Sequence, residues 1–370
     1  MQIHQQTWRP GEELTPGDAQ WVLAFGSRDQ ISDAFSSIRA AYPEAVIVSG
    51  STSGEIYDTE VSDDRVTITA VTFKKTRVRA ASMSIEKDDC SHRAGVELAE
   101  KLSADDLQHV FVVSDGQLVN GSALAKGFNE TLPENTLLTG GLAGDGTKFE
   151  CTLVGLDGPP KSGQIAAVGF YGDALSVGFG SSGGWAPFGP VRTVTSSEAN
   201  VLYQLDGKSA LELYKLYLGD QAQHLPGSAL RFPLCLMLPD GRRLVRTILS
   251  VNEEDQSMTF AGDVPHGTSV RFMRASYEDL VDGAAYAAEH AVRGLEGHSP
   301  ELAILVSCVG RRIVLGQRTE EETEVVRETI GAAAKMTGFY SYGELAPTAH
   351  ADWCELHNQT MTITTLREAA

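Results

Sequence analysis

Three short runs in this chain set a carboxylate directly after a glycine at the close of an apolar segment. They are Gly50-Ser51-Thr52-Ser53-Gly54-Glu55, Gly140-Gly141-Leu142-Ala143-Gly144-Asp145 and Gly338-Phe339-Tyr340-Ser341-Tyr342-Gly343-Glu344. Glycine frees the backbone for a sharp turn or a close approach, and the acid supplies an acceptor or a base. The first run has the outline of a nucleophile elbow with Thr52 in the serine position. A hydrolase or transferase using Thr52 or Ser51 with Glu55 or Asp145 is one chemistry to weigh. No amphipathic helix follows Gly54, and no base with an orienting partner accompanies the hydroxyls, as nucleophilic catalysis requires. The favoured reading is non-catalytic: tight turns whose hydroxyls and N–H groups line a pocket.

A second concentration of reactive groups is His350-Ala351-Asp352-Trp353-Cys354-Glu355-Leu356-His357-Asn358-Gln359. Histidine, thiolate and carboxylate all ligate metals, but on an extended strand His350, Asp352 and Cys354 share one face while His357 takes the other. That spacing does not form a simple chelate, and structural roles are expected for most of these side chains. His357 and Asn358 are kept as site candidates, because buried polar groups ahead of an alternating strand must be paired with one another or with a ligand. Arg311-Arg312 follows an apolar strand, where guanidinium can clamp a ligand carboxylate or pair with Glu320 to Glu322. Gly178-Phe179-Gly180-Ser181-Ser182-Gly183 imitates a dinucleotide fingerprint, yet Gly184-Trp185-Ala186-Pro187-Phe188-Gly189-Pro190 follows where a helix is needed. Gly207-Lys208-Ser209 lacks the earlier glycine of a phosphate loop and reads as a turn feeding a helix capped by Ser209.

The elements that must carry these groups recur. Strand Trp21 to Phe25, a helix with Phe35, Ile38 and Tyr42 on one face, and strand Ala45 to Val48 precede the first glycine-acid run. Strand Val110 to Val113, a helix carrying Leu124, Phe128 and Leu132, and Leu137-Leu138-Thr139 precede the second. Strand Ala303 to Val306 and a helix from Glu320 to Ile330 precede the third, and β-type sequence such as Val66 to Ala70 and Met361 to Ile363 comes after the runs. The pattern is either a true duplication or the ordinary supply of strand-helix-strand units in such proteins. Both readings give an α/β or α+β chain with mixed sheets, flanking helices and repeated strand-helix-strand units. Hairpin-like segments lie between the copies: Ile165 to Phe170 with Leu175 to Phe179, and Val245 to Val251 with Ser257 to Phe260. A boundary near Gly219-Asp220, after a helix from Ser209 to Leu218, divides the chain into two domains, 20–219 and 220–366.

Composition bounds the partners. The 370 residues carry 30 basic and 49 acidic side chains, a net charge of −19, with 42% hydrophobic residues. So acidic a chain, with no basic patch, is not expected to bind nucleic acid or an anionic membrane surface. Five scattered cysteines without a CxxC pair suit reduced thiols. No apolar run reaches the ~18 residues of a membrane span, and Met1-Gln2-Ile3-His4 opens no charged-then-apolar leader. The expectation is a soluble cytoplasmic protein.

Taken together, the glycine-acid runs, Ser114-Asp115-Gly116, Gly184 to Pro190, Ser307-Cys308-Val309-Gly310-Arg311-Arg312 and Leu356-His357-Asn358-Gln359-Thr360-Met361-Thr362 resemble the FIST domain proteins, from about Trp21 to Leu366. Ala199 and Ser209 stand where that family's pattern has a glycine and a proline. The resemblance implies a FIST N-like sensory domain over 20–219 and a FIST C-like domain over 220–366. It implies a sensor for a small, amino-acid-like ligand rather than an enzyme, acting on a histidine kinase or a cyclic-di-GMP enzyme. A subset of the family is described as haem-binding nitric-oxide sensors, so haem b is the cofactor the resemblance allows, with His357 and His350 as axial candidates and Cys354 as a thiolate alternative. The expected ligand site draws on Ser51, Thr52, Gly54, Glu55, Asp115, Asp145, Trp185, Arg192, Asn200, Arg311, Tyr342, Glu344, His357 and Asn358. Trp185, Arg192, Asn200, Arg311, His357 and Asn358 are expected near a cleft between the two halves.

Overall fold

A computed structural model describes residues 1–86, 90–225, 227–238, 241–348 and 351–369. The chain opens with β1 (Gln2–Trp8), β2 (Trp21–Gly26), α1 (Arg28–Ala41), β3 (Val46–Ser51), β4 (Glu55–Tyr57), β5 (Glu60–Ser62) and β6 (Val66–Thr72). A second unit follows with β7 (Arg77–Ser84), α2 (Ser91–Leu102), β8 (Leu107–Ser114), α3 (Gly121–Asn129), β9 (Leu137–Leu142), β10 (Val154–Leu156) and β11 (Gln164–Tyr171). A third begins with β12 (Leu175–Ser182) and is then interrupted by β13 (Ala186–Glu198), β14 (Val201–Leu205), β15 (Lys208–Ser209), α4 (Ala210–Leu218), β16 (Leu234–Met237), β17 (Arg243–Arg246), β18 (Ile248–Asn252), β19 (Ser257–Phe260) and β20 (Ser269–Arg274). It resumes with α5 (Tyr277–Arg293), β21 (Leu302–Cys308), α6 (Val309–Leu315), α7 (Thr319–Ile330), β22 (Lys335–Ser341), β23 (Gly343–Thr348), β24 (Ala351–His357) and β25 (Met361–Glu368).

Strand order makes the repetition explicit. The three sheets run β1-β6-β2-β3-β10, β7-β11-β8-β9-β23-β24 and β12-β25-β21-β22-β4-β5. In each, a parallel pair joined across helix (β2‖β3, β8‖β9, β21‖β22) is flanked on one side by the antiparallel strand that closes the same unit. On the other side stands a strand lent by a neighbouring unit. The strand after the first glycine-acid run, β4, pairs with β22 of the third unit; β10 of the second pairs with β3 of the first; β23 of the third pairs with β9 of the second. Three units thus exchange one strand each in a closed ring, an arrangement that three unrelated strand-helix-strand segments have no reason to produce.

The inner faces of the sheets share one core. Trp21 and Phe25 of the first, Phe111 and Phe170 of the second, and Ile304, Val306 and Phe339 of the third meet there, with Trp21 edge-on to Phe170 at 4.8 Å and Phe25 against Phe339 at 4.5 Å. Helices cover the outer faces: α1 on the first sheet, α2 and α3 on the second, α5 and α7 on the third. Coverage on both faces explains why β2, β11 and β21 are buried from end to end and largely apolar rather than alternating.

The interrupting segment, β13 to β20, is an antiparallel lobe with its own core around Leu202, Tyr214, Phe260 and Phe272. Strand β13 bends at an irregularity between Phe188 and Arg192, where Gly189-Pro190 falls, and so serves both halves of the lobe's sheet. Ser209 caps α4 by accepting from the Glu212 amide at 3.2 Å. The stretch Val245 to Val251, expected as one strand, is broken at Thr247: β17 pairs with β16, whereas β18 pairs with β19. The cut near 219–220 lies inside this lobe, between α4 and β16, and β12 and β4 share a sheet with β21, β22 and β25.

Candidate ligand cleft

All three glycine-acid steps follow the second strand of a parallel pair, and each glycine answers a backbone need. Gly54 has φ +131°, and an added Cβ there would lie 2.6 Å from the Arg312 guanidinium. Cβ atoms at Gly144 and Gly343 would meet Ser53 Oγ at 2.3 Å and Leu356 Cδ1 at 2.7 Å. The acids are not alike in use. Thr52 Oγ1 donates to Glu55 Oε1 at 2.5 Å, and Ser341 Oγ pairs with Glu344 Oε1 at 2.6 Å, the same three-residue spacing in two units. Burial pushes both carboxyls up to about 8, only partly opposed by these hydroxyls and, for Glu344, by the Thr360 amide and hydroxyl. In the second unit Leu142 replaces the hydroxyl. Asp145 turns instead to the amides of Phe149, Glu150 and Cys151, each at 2.9 Å, and to the Tyr342 hydroxyl. Partial burial would raise Asp145, but these four donors outweigh it and hold the carboxyl below its usual range.

That clamp builds one wall of a cleft of about 220 Å³. The cleft lies beyond the carboxyl ends of β8, β9, β21 and β22, the usual crevice of open α/β sheets, and the inserted lobe closes it. The three-sheet body contributes Gly116 and Gln117, Val119 to Gly121, Leu142, Phe149, Cys308 to Gly310, Tyr342 and Leu356; the lobe contributes Ala199, Asn200, Leu230, Thr247, Leu249 and Phe260 to Gly262. The Phe149 and Tyr342 rings stack at 4.7 Å with 17° between planes. Asp115, buried, accepts from the amides of Gln117 and Leu118 at 2.7 Å and of Gly163 at 2.9 Å, and so shapes the loop opposite. Hydrogen bonds tie lobe to body at the cleft: Asn120 Nδ2 to Asp263 Oδ1 at 3.3 Å, Arg246 Nη1 to the Leu356 carbonyl at 2.9 Å, the Thr247 amide to Asn358 Oδ1 at 3.4 Å, and Gln359 Nε2 to the Leu230 carbonyl at 3.1 Å.

Of the expected site residues, the structure brings Asn200 and Tyr342 into the wall and sets Asp115, Asp145 and Asn358 directly behind it. The others stand elsewhere. Ser51 Oγ accepts from the Leu153 amide, and Thr52 is 3% exposed with its hydroxyl spent on Glu55 and the Gly54 amide, so both hydroxyls are buried and engaged. Arg311 is fully enclosed, pairing with Glu322 at 2.8 Å and donating to the carbonyls of Gly183 and Leu280; of the two roles expected, pairing with the acids is the one realised. Trp185 donates to the Gln359 carbonyl, and Arg192 joins Asp206 and the Tyr217 hydroxyl within the lobe. Glu344 is fully buried and bonded to Ser341 and Thr360. His357 is buried with Nε2 3.0 Å from the Ala346 carbonyl, and burial pushes it down to about 4. His350 lies outside the described residues.

Among the described residues no histidine lines the cleft, and His357 is turned to a backbone carbonyl. Cys354 is buried, with its thiol pushed well up by burial. Phe149, Thr247, Leu249 and the 260–262 turn were not anticipated. Only Phe149 left a trace in the sequence, as a lone aromatic in the polar stretch after Asp145.

Three sheets, an inserted lobe and a small cleft at their junction define a two-lobed protein with a concave site of small-molecule size. The sequence assigns it further: residues 20–208 match the FIST N domain and residues 210–347 the FIST C domain, so the chain belongs to the FIST family. FIST domains are in general sensory, small-ligand-binding domains of signal transduction rather than catalytic ones. No curated protein matches the chain. Among the described residues no helix is long and apolar enough to cross a membrane.

Proposed function

We propose that this protein is a cytoplasmic sensor whose ligand occupies the cleft between the inserted lobe and the three-sheet body, and that occupancy alters its contacts with a partner signalling protein, a histidine kinase or a cyclic-di-GMP enzyme. One observation carries the reading: the cleft has walls from both bodies, so a ligand's binding energy depends on how the lobe is seated. Such a ligand favours one seating over another, which is what a sensor needs. Hydrogen bonds such as Asn120 to Asp263 and the Thr247 amide to Asn358 join lobe and body around the cleft. Five free thiols agree with a reducing compartment.

The test is a screen of small organic molecules by thermal shift and calorimetry on the full chain beside an Ala261→Trp variant, whose indole fills the cleft. A compound that stabilises the parent but not the variant, and that changes protection of the 245–263 amides in hydrogen exchange, is the expected result. Compounds that stabilise both proteins equally would refute the site.

A further inference from the structure

Resting on that reading of the cleft, we propose that its ligand is an uncharged, planar molecule of one or two rings that stacks on Phe149 and shares a hydrogen bond with Thr247. Charge decides the first part. Among the described residues the wall holds no Lys, Arg, His, Asp or Glu. Its two titratable groups, Cys308 and Tyr342, are both pushed up by burial and stay neutral. A carboxylate or an ammonium taken from water into such a site loses hydration without gaining a counter-charge, so a free amino acid, which carries both, is poorly matched. Arg246 lies beneath Gly262 and Leu356, outside the wall; its Nε and Nη1 donate to the carbonyls of Asp263, Val245 and Leu356, and the carboxylates of Glu355 and Asp263 balance its charge.

Shape decides the second part. Phe149 is 40% exposed although it is a large aromatic, and its φ of +55° lies in the left-handed region that side chains avoid. Asp145 and Tyr342 both accept or share its amide hydrogen and hold it there, and residues held in unfavourable backbone regions cluster at ligand clamps. The stacked Tyr342 backs one ring face, which leaves the other to meet a flat partner. A cavity of roughly 150 Å³ accepts benzene, so the 220 Å³ here takes one ring or two fused rings. The polar anchor is Thr247, a wall residue only 4% exposed whose Oγ1 has no partner among the described residues. A buried hydroxyl in that state needs a partner, and a ligand group seated in the cleft is the one proposed here.

Benzamide, benzoate and benzamidinium share one shape and differ in charge, and cyclohexanecarboxamide keeps the amide without the flat ring. Binding is read by methyl chemical-shift titration of Leu230, Leu249 and Leu356 in the full chain. Benzamide is expected to shift these methyls and to bind at least tenfold more tightly than the other three. Phe149→Leu, which keeps bulk and loses the ring, should weaken benzamide about tenfold with the melting temperature unchanged, and Thr247→Val should weaken it severalfold. Equal or tighter binding of a charged member or of cyclohexanecarboxamide at those methyls would overturn the ligand class and leave the site reading standing. Shifts of those methyls by none of the four would overturn the site reading itself.

Discussion

Replacing Glu344 by glutamine removes a titrating proton from the interior with almost no change of shape. In the fold Glu344 is fully buried. Oε2 accepts from the Thr360 amide at 3.2 Å and hydroxyl at 2.8 Å, and Oε1 faces Ser341 Oγ at 2.6 Å. Glutamine reproduces this set, its carbonyl accepting from Thr360 and its amide donating to Ser341. Burial raises the carboxyl from 4.5 to about 8, while Ser341, Thr360 and the charge of Arg311 pull only weakly downward. Between those values the folded chain keeps a proton that the unfolded chain has released, so stability falls as pH rises, by about 1.4 kcal/mol per pH unit. From pH 5 to 7.5 the loss is about 3 kcal/mol, present in the parent and absent in the variant. For a chain of 370 residues an unfolding entropy near 2.1 cal/mol/K per residue converts this to roughly 4 °C. Thermal melts of both proteins across that range should start level at pH 5 and separate steadily, with Glu344→Gln the more stable at 7.5. A constant difference, or a variant that loses ground as pH rises, would mean that Glu344 is ionised in the fold.

Arg311→Ala should destabilise by about 3–5 kcal/mol in denaturant melts, because Glu322 would be left charged and unpaired in the core; a change under 1 kcal/mol would contradict the enclosed pair. His357→Ala should lower the melting temperature through loss of a buried, bonded ring and leave cleft affinity within twofold, whereas a selective loss of affinity would return His357 to the site. Gly144→Ala forces a Cβ to within 2.3 Å of Ser53 Oγ and should cost stability, and the additional Ser53→Gly change should recover most of it; no recovery would place the strain elsewhere.

Local sequence set the repeated elements and the points where they turn. Apolar runs at 21–25, 110–113 and 303–306 are strands because both faces are covered. The glycine-acid steps close the parallel pairs because only glycine tolerates the crowding at 54 and 144. Family membership was legible too, since its motifs are local runs. The partners of those elements were not. Nothing local in Glu55-Ile56-Tyr57 says that this strand leaves its own unit to pair with Gly338 and Phe339, almost three hundred residues away. Nor does the run from 186 to 274 announce itself as an insertion, since β-type sequence looks the same whether it extends a sheet or founds a new one. The site followed the same division. Asp115, Asp145 and Tyr342 stood in conspicuous motifs, but a motif records that a residue is constrained, and a carboxylate buried to hold a loop is as constrained as one that meets a ligand. Phe149, Thr247 and Phe260 became neighbours only when the lobe closed on the body. That closure depends on packing and on a few bonds such as Asn120 to Asp263, between residues far apart in the chain and unremarkable in it.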